Sequence, residues 1–549
     1  MEGHELVEWY TLAYFMIYPY KQRNLQLFKI TYICNNYTKK LLMKKTLLSL
    51  AVLGLSAFAL QAQTRYVDDV YTNDDLYIET DIEYAKNFTV LYGDVDTSTP
   101  GPQFLLQDLK ADFYYPPYDE AVGNRPVVIM MHTGNFLPRY SNKGPVGYKD
   151  DSATVAICKA WARKGYVVMA PTYRMGWNPK SLDEDVRRET IINAAYKGVQ
   201  DLSAAIRFLK AEAVELLNFN NLDTGKIAIG GQGTGSYITS AFASLNTQDE
   251  IRIDKFRRST DGKAMVDDQM WGDRFGMGGL PGFNKENWPG YEANAQVAFQ
   301  IGGALGDSSW IDAGEMPLIW AHSVLDPFAP YKTNIINVPG TTLQVVEASG
   351  GYDVMKSASA QGNNKVYEGK VMDNYTLAIS AYNEGMDGLY PIHGAANASG
   401  PYEWYDTAII KQLTSHAEDI QEILAGIRLS NPFHNKTKAM TYIDTILGYF
   451  APRVAVSLGL VQSVGIDNIN MASNVAIGPN PATNQVTVFN NWDNNELRTI
   501  EIRNLNGQLL QRVPFQGKQQ NIELSLPTGL YIMHMEFERG TGSKKFMVN

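Results

Sequence analysis

The sequence predicts an α/β fold, a mostly parallel sheet with helices on both faces, followed by a small all-β sandwich domain. Three observations predict it. Continuous apolar runs such as RPVVIMM (125–131) and GYVVMAP (165–171) read as strands buried on both faces. Between and after them lie stretches of helical periodicity, over 151–163 and 189–213, and strands alternating with helices call for a parallel sheet. From Asn474 onward the pattern changes to short period-two runs broken by Asn-Gly and Pro-Thr-Gly turns, the grammar of a sandwich.

The chain has 549 residues, room for two or three domains, and its 45% hydrophobic and 19% charged content describes a globular protein. A net charge of −10 excludes nucleic acid or an anionic membrane as the main partner. Met43–Gln63, MKKTLLSLAVLGLSAFALQAQ, has two lysines, a short apolar core and small residues, so 43–62 reads as a signal peptide. The run is short for a bilayer, and no membrane span is expected in the mature chain. Residues 1–42, aromatic and unpatterned, read as a spurious extension before a start at Met43. Cys34 lies in that extension, leaving Cys158 alone on an apolar helix face, a buried structural thiol and no disulfide framework.

Along the mature chain, alternating runs over 64–92 suggest antiparallel strands at the start of the sheet. LKADFYYP (109–116) alternates with period two and stops at Pro116-Pro117. RPVVIMM ends at His132-Thr133-Gly134-Asn135-Phe136, and GYVVMAP at Thr172-Tyr173-Arg174. Next comes KIAIGGQGTGSY (226–237), in which a short apolar strand meets clustered glycines and then a helix-compatible segment. This is the strand–turn–helix pattern of a nucleophile elbow, G-x-S-x-G, with Gly231 and Gly235 as flanking glycines and Gly233 where the serine belongs. Glycine accepts the positive φ of that apex at no steric cost, so the turn can persist without the hydroxyl. Residues 246–294 lack a clean period and read as an insertion or cap. AQVAFQIGG (295–303), MPLIWAHS (316–323) and TLQVVE (342–347) read as the remaining strands, TLQVVE being the last. A helix is expected over 406–427.

The ordered set LKADFYYP, MMHTGNF, GYVVMAPTYR, YKGVQDLSAAIRFLK and DTGKIAIGGQGTGS resembles the α/β-hydrolases of the carboxylesterase and lipase-like kind, over about 63–470. The resemblance implies ester chemistry by nucleophile, histidine base, orienting acid and backbone oxyanion donors, with no cofactor and no metal. It places the acid at Asp326, just past the MPLIWAHS strand, and the donors at the amides of Thr234 and of Gly134 or Asn135. The nucleophile is absent, because position 233 is glycine. The loop after TLQVVE, ASGGYDVM, holds no histidine, so the base falls to His393 in LYPIHG or is missing too. His132 is expected to shape the oxyanion loop, His322 to be a hydrogen-bonded core residue, and His416 and His434 to be structural.

The tail, 474–549, carries Pro479-Asn480-Pro481, Leu505-Asn506-Gly507, Pro527-Thr528-Gly529-Leu530-Tyr531 and Lys544-Lys545-Phe546. These resemble the C-terminal sorting domain of type IX secretion cargo, which implies that secretion machinery as a partner and a secreted or cell-surface location.

Three functions remain open on sequence. One is a catalytically silent member of the fold binding a small molecule, glycan or ester through its pocket, with Trp177, Trp310 and Trp404 as lining candidates. The second is an active ester hydrolase with a displaced nucleophile, or one that activates water directly. The third is a structural or adhesive surface protein.

Overall fold

The computed structural model describes residues 65–92, 102–119, 122–142, 146–215, 218, 220–393, 398–405, 420–421, 423–425, 428, 431–432, 435–464, 474–492, 495–504, 508–538 and 540–549. The expected signal peptide, the 1–42 extension, His416, His434 and most of the 406–427 helix lie outside them.

Eight strands form the main sheet: β1 (Tyr77–Leu91), β2 (Gln103–Tyr115), β3 (Arg125–Met131), β4 (Val167–Pro171), β5 (Leu222–Gln232), β6 (Val297–Ile301), β8 (Leu318–Ser323) and β11 (Leu389–Ile392). Their order is β1-β2-β4-β3-β5-β6-β8-β11. β1 and β2 are antiparallel, β2 meets β4 antiparallel, and every later pairing is parallel. The several antiparallel strands expected over 64–92 are one strand, β1, paired antiparallel with β2, and the continuous apolar runs lie at the sheet centre.

Alternation along β3 shows why that strand is apolar throughout. Val127, Ile129 and Met131 face one core, while Val128 and Met130 face another. The first core is closed by α2 (Glu184–Glu215), α3 (Thr234–Ser244) and α4 (Gly351–Gln361). The second is closed by α1 (Ser152–Arg163) and α5 (Lys436–Ser457), with Trp161, Phe299 and Phe450 packed ring against ring. Asp151 starts α1 by accepting a hydrogen bond from the Thr154 amide. Cys158 is buried here, and burial pushes its thiol well above the ordinary range, as suits a structural thiol.

One expectation fails. TLQVVE does not end the main sheet: β10 (Gln344–Gly350) pairs with β7 (Ala304–Leu305) and β9 (Asn334–Asn337) in a small antiparallel sheet of their own. The eighth main-sheet strand is LYPI of β11, parallel to β8, and His393 follows it directly. Both runs are short and apolar, and only the partners available at the sheet edge distinguish them.

A buried ion pair ties the two halves of the first core. The Arg174 guanidinium donates to Asp201 Oδ1 and Oδ2 at 2.8 and 3.1 Å. It donates also to the carbonyls of Phe88 and Lys197 and to Gln200 Oε1. The loop after β4 is thereby held to both α2 and β1. Beside it Lys197, with Nζ 3.6 Å from the centre of the Trp271 ring, is lowered to about 7 by burial and then by Arg174.

Residues 246–294 run over α2 as short turns, joined to it by Gln200 Nε2 donating to the Trp271 and Asp273 carbonyls and by Asn193 donating to Met265. The C-terminal domain packs β12 (Val475–Gly478), β13 (Gln485–Asn490) and β16 (Gln519–Glu523) against β14 (Leu497–Arg503), β15 (Leu509–Pro514), β17 (Gly529–Phe537) and β18 (Gly540–Val548). In its core Val486 and Val488 from one sheet meet Ile500, Ile502, Met533 and Met535 from the other, with Leu377 of the preceding domain buried among them.

Removing Asp201 strands the Arg174 charge in the interior. Asp201→Ala is expected to cost about 3–5 kcal/mol of stability, read as a lower urea midpoint.

Candidate functional site

The turn between β5 and α3 is built by close backbone approach. A Cβ at Gly231 would overlap the backbone of Gly235 and Ser236, and one at Gly235 would stand 2.7 Å from the Met131 carbonyl carbon. Only glycines let α3 press against the ends of β3 and β5 in this way. The apex residue, Gly233, caps α3 with φ 54° and ψ −115°. This is the strained apex that the elbow pattern predicts, held without a side chain.

Opposite the apex runs the loop after β3. His132 is fully buried, stacked on Tyr173 at 4.6 Å, and its Nδ1 is bonded to the Thr133 carbonyl. Burial lowers it to about 4, so it is neutral and shapes the loop as expected. Gly134, Asn135 and Phe136 follow with φ of 139°, 56° and 53°, a tight turn pinned by Trp177 Nε1 donating to the Asn135 carbonyl at 2.7 Å. The amides of Gly134, Asn135 and Thr234 make no hydrogen bond among the described residues. They remain available as donors.

The loop also explains the missing side chain. A Cβ placed at residue 233 would lie 2.9 Å from the Thr133 Cβ and nearer still to its Oγ1. Thr133 already fills the space a serine would take. In HGGG-type oxyanion loops glycines hold these positions, so His132-Thr133-Gly134 carried a legible signal that sequence reasoning missed.

Thr133, Gly134, Asn135, Gly233 and Thr234 all line one cavity of about 480 Å³. Its walls are mainly apolar, with Phe136, Trp177, Tyr237, Phe256, Trp310 and Val345 among them. Trp177 and Trp310 thus line it, whereas Trp404 packs against the second core instead. Ile251, Phe256 and Val266 bring the 246–294 segment into the wall.

Asp326 lies past β8 in the expected place, just behind the cavity wall. Its Oδ1 accepts from the amides of Phe328 and Ala329, and its Oδ2 from Ser399 Oγ at 2.9 Å. His322, buried, bonds the Ala329 carbonyl and accepts from the Gly351 amide, a core role as expected. Asp326 Oδ2 stands 3.6 Å from its Nε2. His393 is not brought to this group. It follows β11, is exposed, is not part of the cavity lining, and packs against the Tyr382 ring at 5.0 Å. Ser399 donates to Asp326 and the buried His322 stands beside it, whereas His393 reaches neither.

The returning loop supplies Ser399, Tyr402 and Glu403 to the cavity, none of them signalled by the sequence. Glu403 accepts from Gln232 Nε2 at 2.8 Å. Burial first, and then the nearby Asp151 carboxylate, push it up to about 8.

Sheet order and the glycine turn between β5 and α3 together define a protein of the esterase-like α/β-hydrolase fold carrying a small β tail. Residues 111–334 match the BD-FAE family, and residues 476–549 match the secretion system C-terminal sorting domain. The tail therefore marks the chain for export by type IX secretion to the cell surface or beyond. Among the described residues no helix is long and apolar enough to cross a membrane. No curated protein matches the chain. Solved structures similar in fold include Thermogutta terrifontis esterase 2 in its native form, 16% identical, covering 64% of this chain and 95% of that one with a TM-score of 0.31. The same esterase phosphorylated by paraoxon is 17% identical over 63% of this chain and 95% of that one, TM-score 0.31. Its butyrate-bound form is 15% identical over 63% and 97%, TM-score 0.30. Likeness this low carries no argument about this chain's chemistry.

Two tests follow from the geometry. Gly233→Ser alone is expected to lose about 1–3 kcal/mol through overpacking against Thr133, and adding Thr133→Gly is expected to recover most of it in thermal unfolding. Glu403 has a folded pKa near 8 against 4.5 for the free side chain. Its neutral form is favoured by the fold, so its contribution is full below about pH 4.5 and is lost as pH rises towards 8. Glu403→Gln is expected to be the more stable protein at pH 9 and to lose the difference at pH 4.

Proposed function

We propose that this exported protein binds an ester or amphipathic acid in the cavity at its elbow, with serine-type hydrolysis impaired because position 233 is glycine. The carrying observation is an apolar cavity of about 480 Å³ whose polar end is a side-chain-free elbow next to unbonded amides. The volume and lining are those of small-molecule sites. The amides at the start of α3 suit a carbonyl or carboxylate oxygen. The engagement of Asp326 by Ser399, and the exposure of His393, favour impairment over an intact relay. Loss of a triad nucleophile lowers turnover by roughly a million-fold in enzymes of the serine type.

Ligand entry is read by tryptophan emission. Ethyl octanoate titrated into the full chain is expected to change it saturably, and Trp310→Phe and Trp177→Phe each to shrink the change. Emission indifferent to esters and free acids from butyrate to decanoate would leave the surface-scaffold role instead.

A further inference from the structure

The hydroxyl absent from the elbow has not left the site; it stands on the facing loop. We infer that Thr133 Oγ1 is the acyl acceptor of this cavity, a slow nucleophile toward carboxylic esters bound there. The inference rests on the proposed occupancy of the cavity by an ester.

Position comes first. The Oγ1 of Thr133 is the atom nearest to where a Cβ at residue 233 would stand, and Thr133 lines the cavity. A serine at the apex would hold its oxygen one bond from that Cβ. The two residues therefore deliver a hydroxyl into the same small region from opposite sides, and sterics allow only one of them to do so. Gly233 with Thr133 is the complement of a serine facing a glycine.

Availability comes second. Of the other hydroxyls lining the cavity, that of Ser141 makes no hydrogen bond among the described residues but is not placed against residue 233, and most of the rest are engaged. Thr234 Oγ1 is bonded to the Tyr173 phenol at 2.9 Å. Ser236 Oγ donates to the Gly231 carbonyl at 2.7 Å, and Ser399 Oγ to Asp326. The Tyr402 phenol donates to the Ile301 carbonyl at 3.2 Å. Tyr237 also lines the cavity, but burial pushes its phenol far above the usual range. Thr133 Oγ1 makes no hydrogen bond among the described residues, while its carbonyl is held by His132 and by the Tyr173 phenol. The backbone is clamped and the hydroxyl is free.

Surroundings come third. The unbonded amides of Thr234 and Gly134 flank the residue, so an oxyanion formed on an ester attacked by Oγ1 has donors nearby. In the step, Oγ1 bonds to the ester carbonyl carbon, the bond from that carbon to the alkoxy oxygen breaks, and the hydroxyl proton leaves with the departing alcohol. Water then cleaves acyl-Thr133 to the acid and the free hydroxyl. Among the described residues no histidine lines the cavity, so the proposed step draws on no imidazole base there and is slow.

An alkyl fluorophosphonate tests this directly, because attack by the hydroxyl forms an oxygen–phosphorus bond and expels fluoride. The full chain is incubated with the probe, digested, and its labelled peptides sequenced by mass spectrometry, alongside Thr133→Val and Thr133→Ser. The expected result is label on Thr133 in the parent chain, faster label on residue 133 in Thr133→Ser, and none there in Thr133→Val. Ethyl octanoate binding by tryptophan emission in Thr133→Val shows that the cavity is intact. Label on Ser141, Thr234, Tyr237 or Ser399 in place of Thr133, or no label in a chain that still binds the ester, overturns the assignment of Thr133 and leaves the binding function standing. Absence of both label and ester binding overturns the two together.

Discussion

The structure depends on one close contact, the backbone of α3 pressed against the ends of β3 and β5. Gly231 and Gly235 permit it, since a Cβ at either would meet main-chain atoms that cannot move aside. The contact fixes where the start of α3 points and how near the loop after β3 must run. Residue 233 and Thr133 then compete for a single space. Which of the two carries a side chain is thus a question of packing.

Around this contact the rest of the first core acts as a brace. Arg174 and Asp201 hold the loop after β4 to α2, and that loop supplies Tyr173, whose phenol donates to the His132 carbonyl at 3.0 Å and bonds Thr234. The loop after β3 is thereby positioned from behind by groups buried from solvent. The acid side is arranged differently. Asp326 keeps its place after β8, with both oxygens occupied by two amides and a serine hydroxyl. The histidine beside this carboxylate is the core residue His322, at 3.6 Å, and His393 is exposed.

The tail builds a two-sheet core on the end of the chain. Its two sheets enclose their own apolar layer, and the main-domain residues that reach it are few, Leu377 and Met372 among them. A sorting domain with its own core serves export through the type IX machinery whatever the preceding domain does. Location and chemistry are thus carried by different parts of one chain.

The sequence by itself determined the class of fold, because a strand buried on both faces must be apolar at every position and a sandwich strand must alternate. RPVVIMM and the period-two tail leave little choice. It also determined the elbow and its missing serine, since close approach can be met by glycine alone. Only the tertiary structure decided which short apolar run closes the sheet, LYPI over TLQVVE, because edge pairing depends on neighbours far away in the chain. Thr133 opposite Gly233, Ser399 on Asp326, and Glu403 held near neutral form were likewise hidden. Each is a meeting of residues from distant strands and loops, and a one-dimensional pattern records the residues without recording which of them share a space.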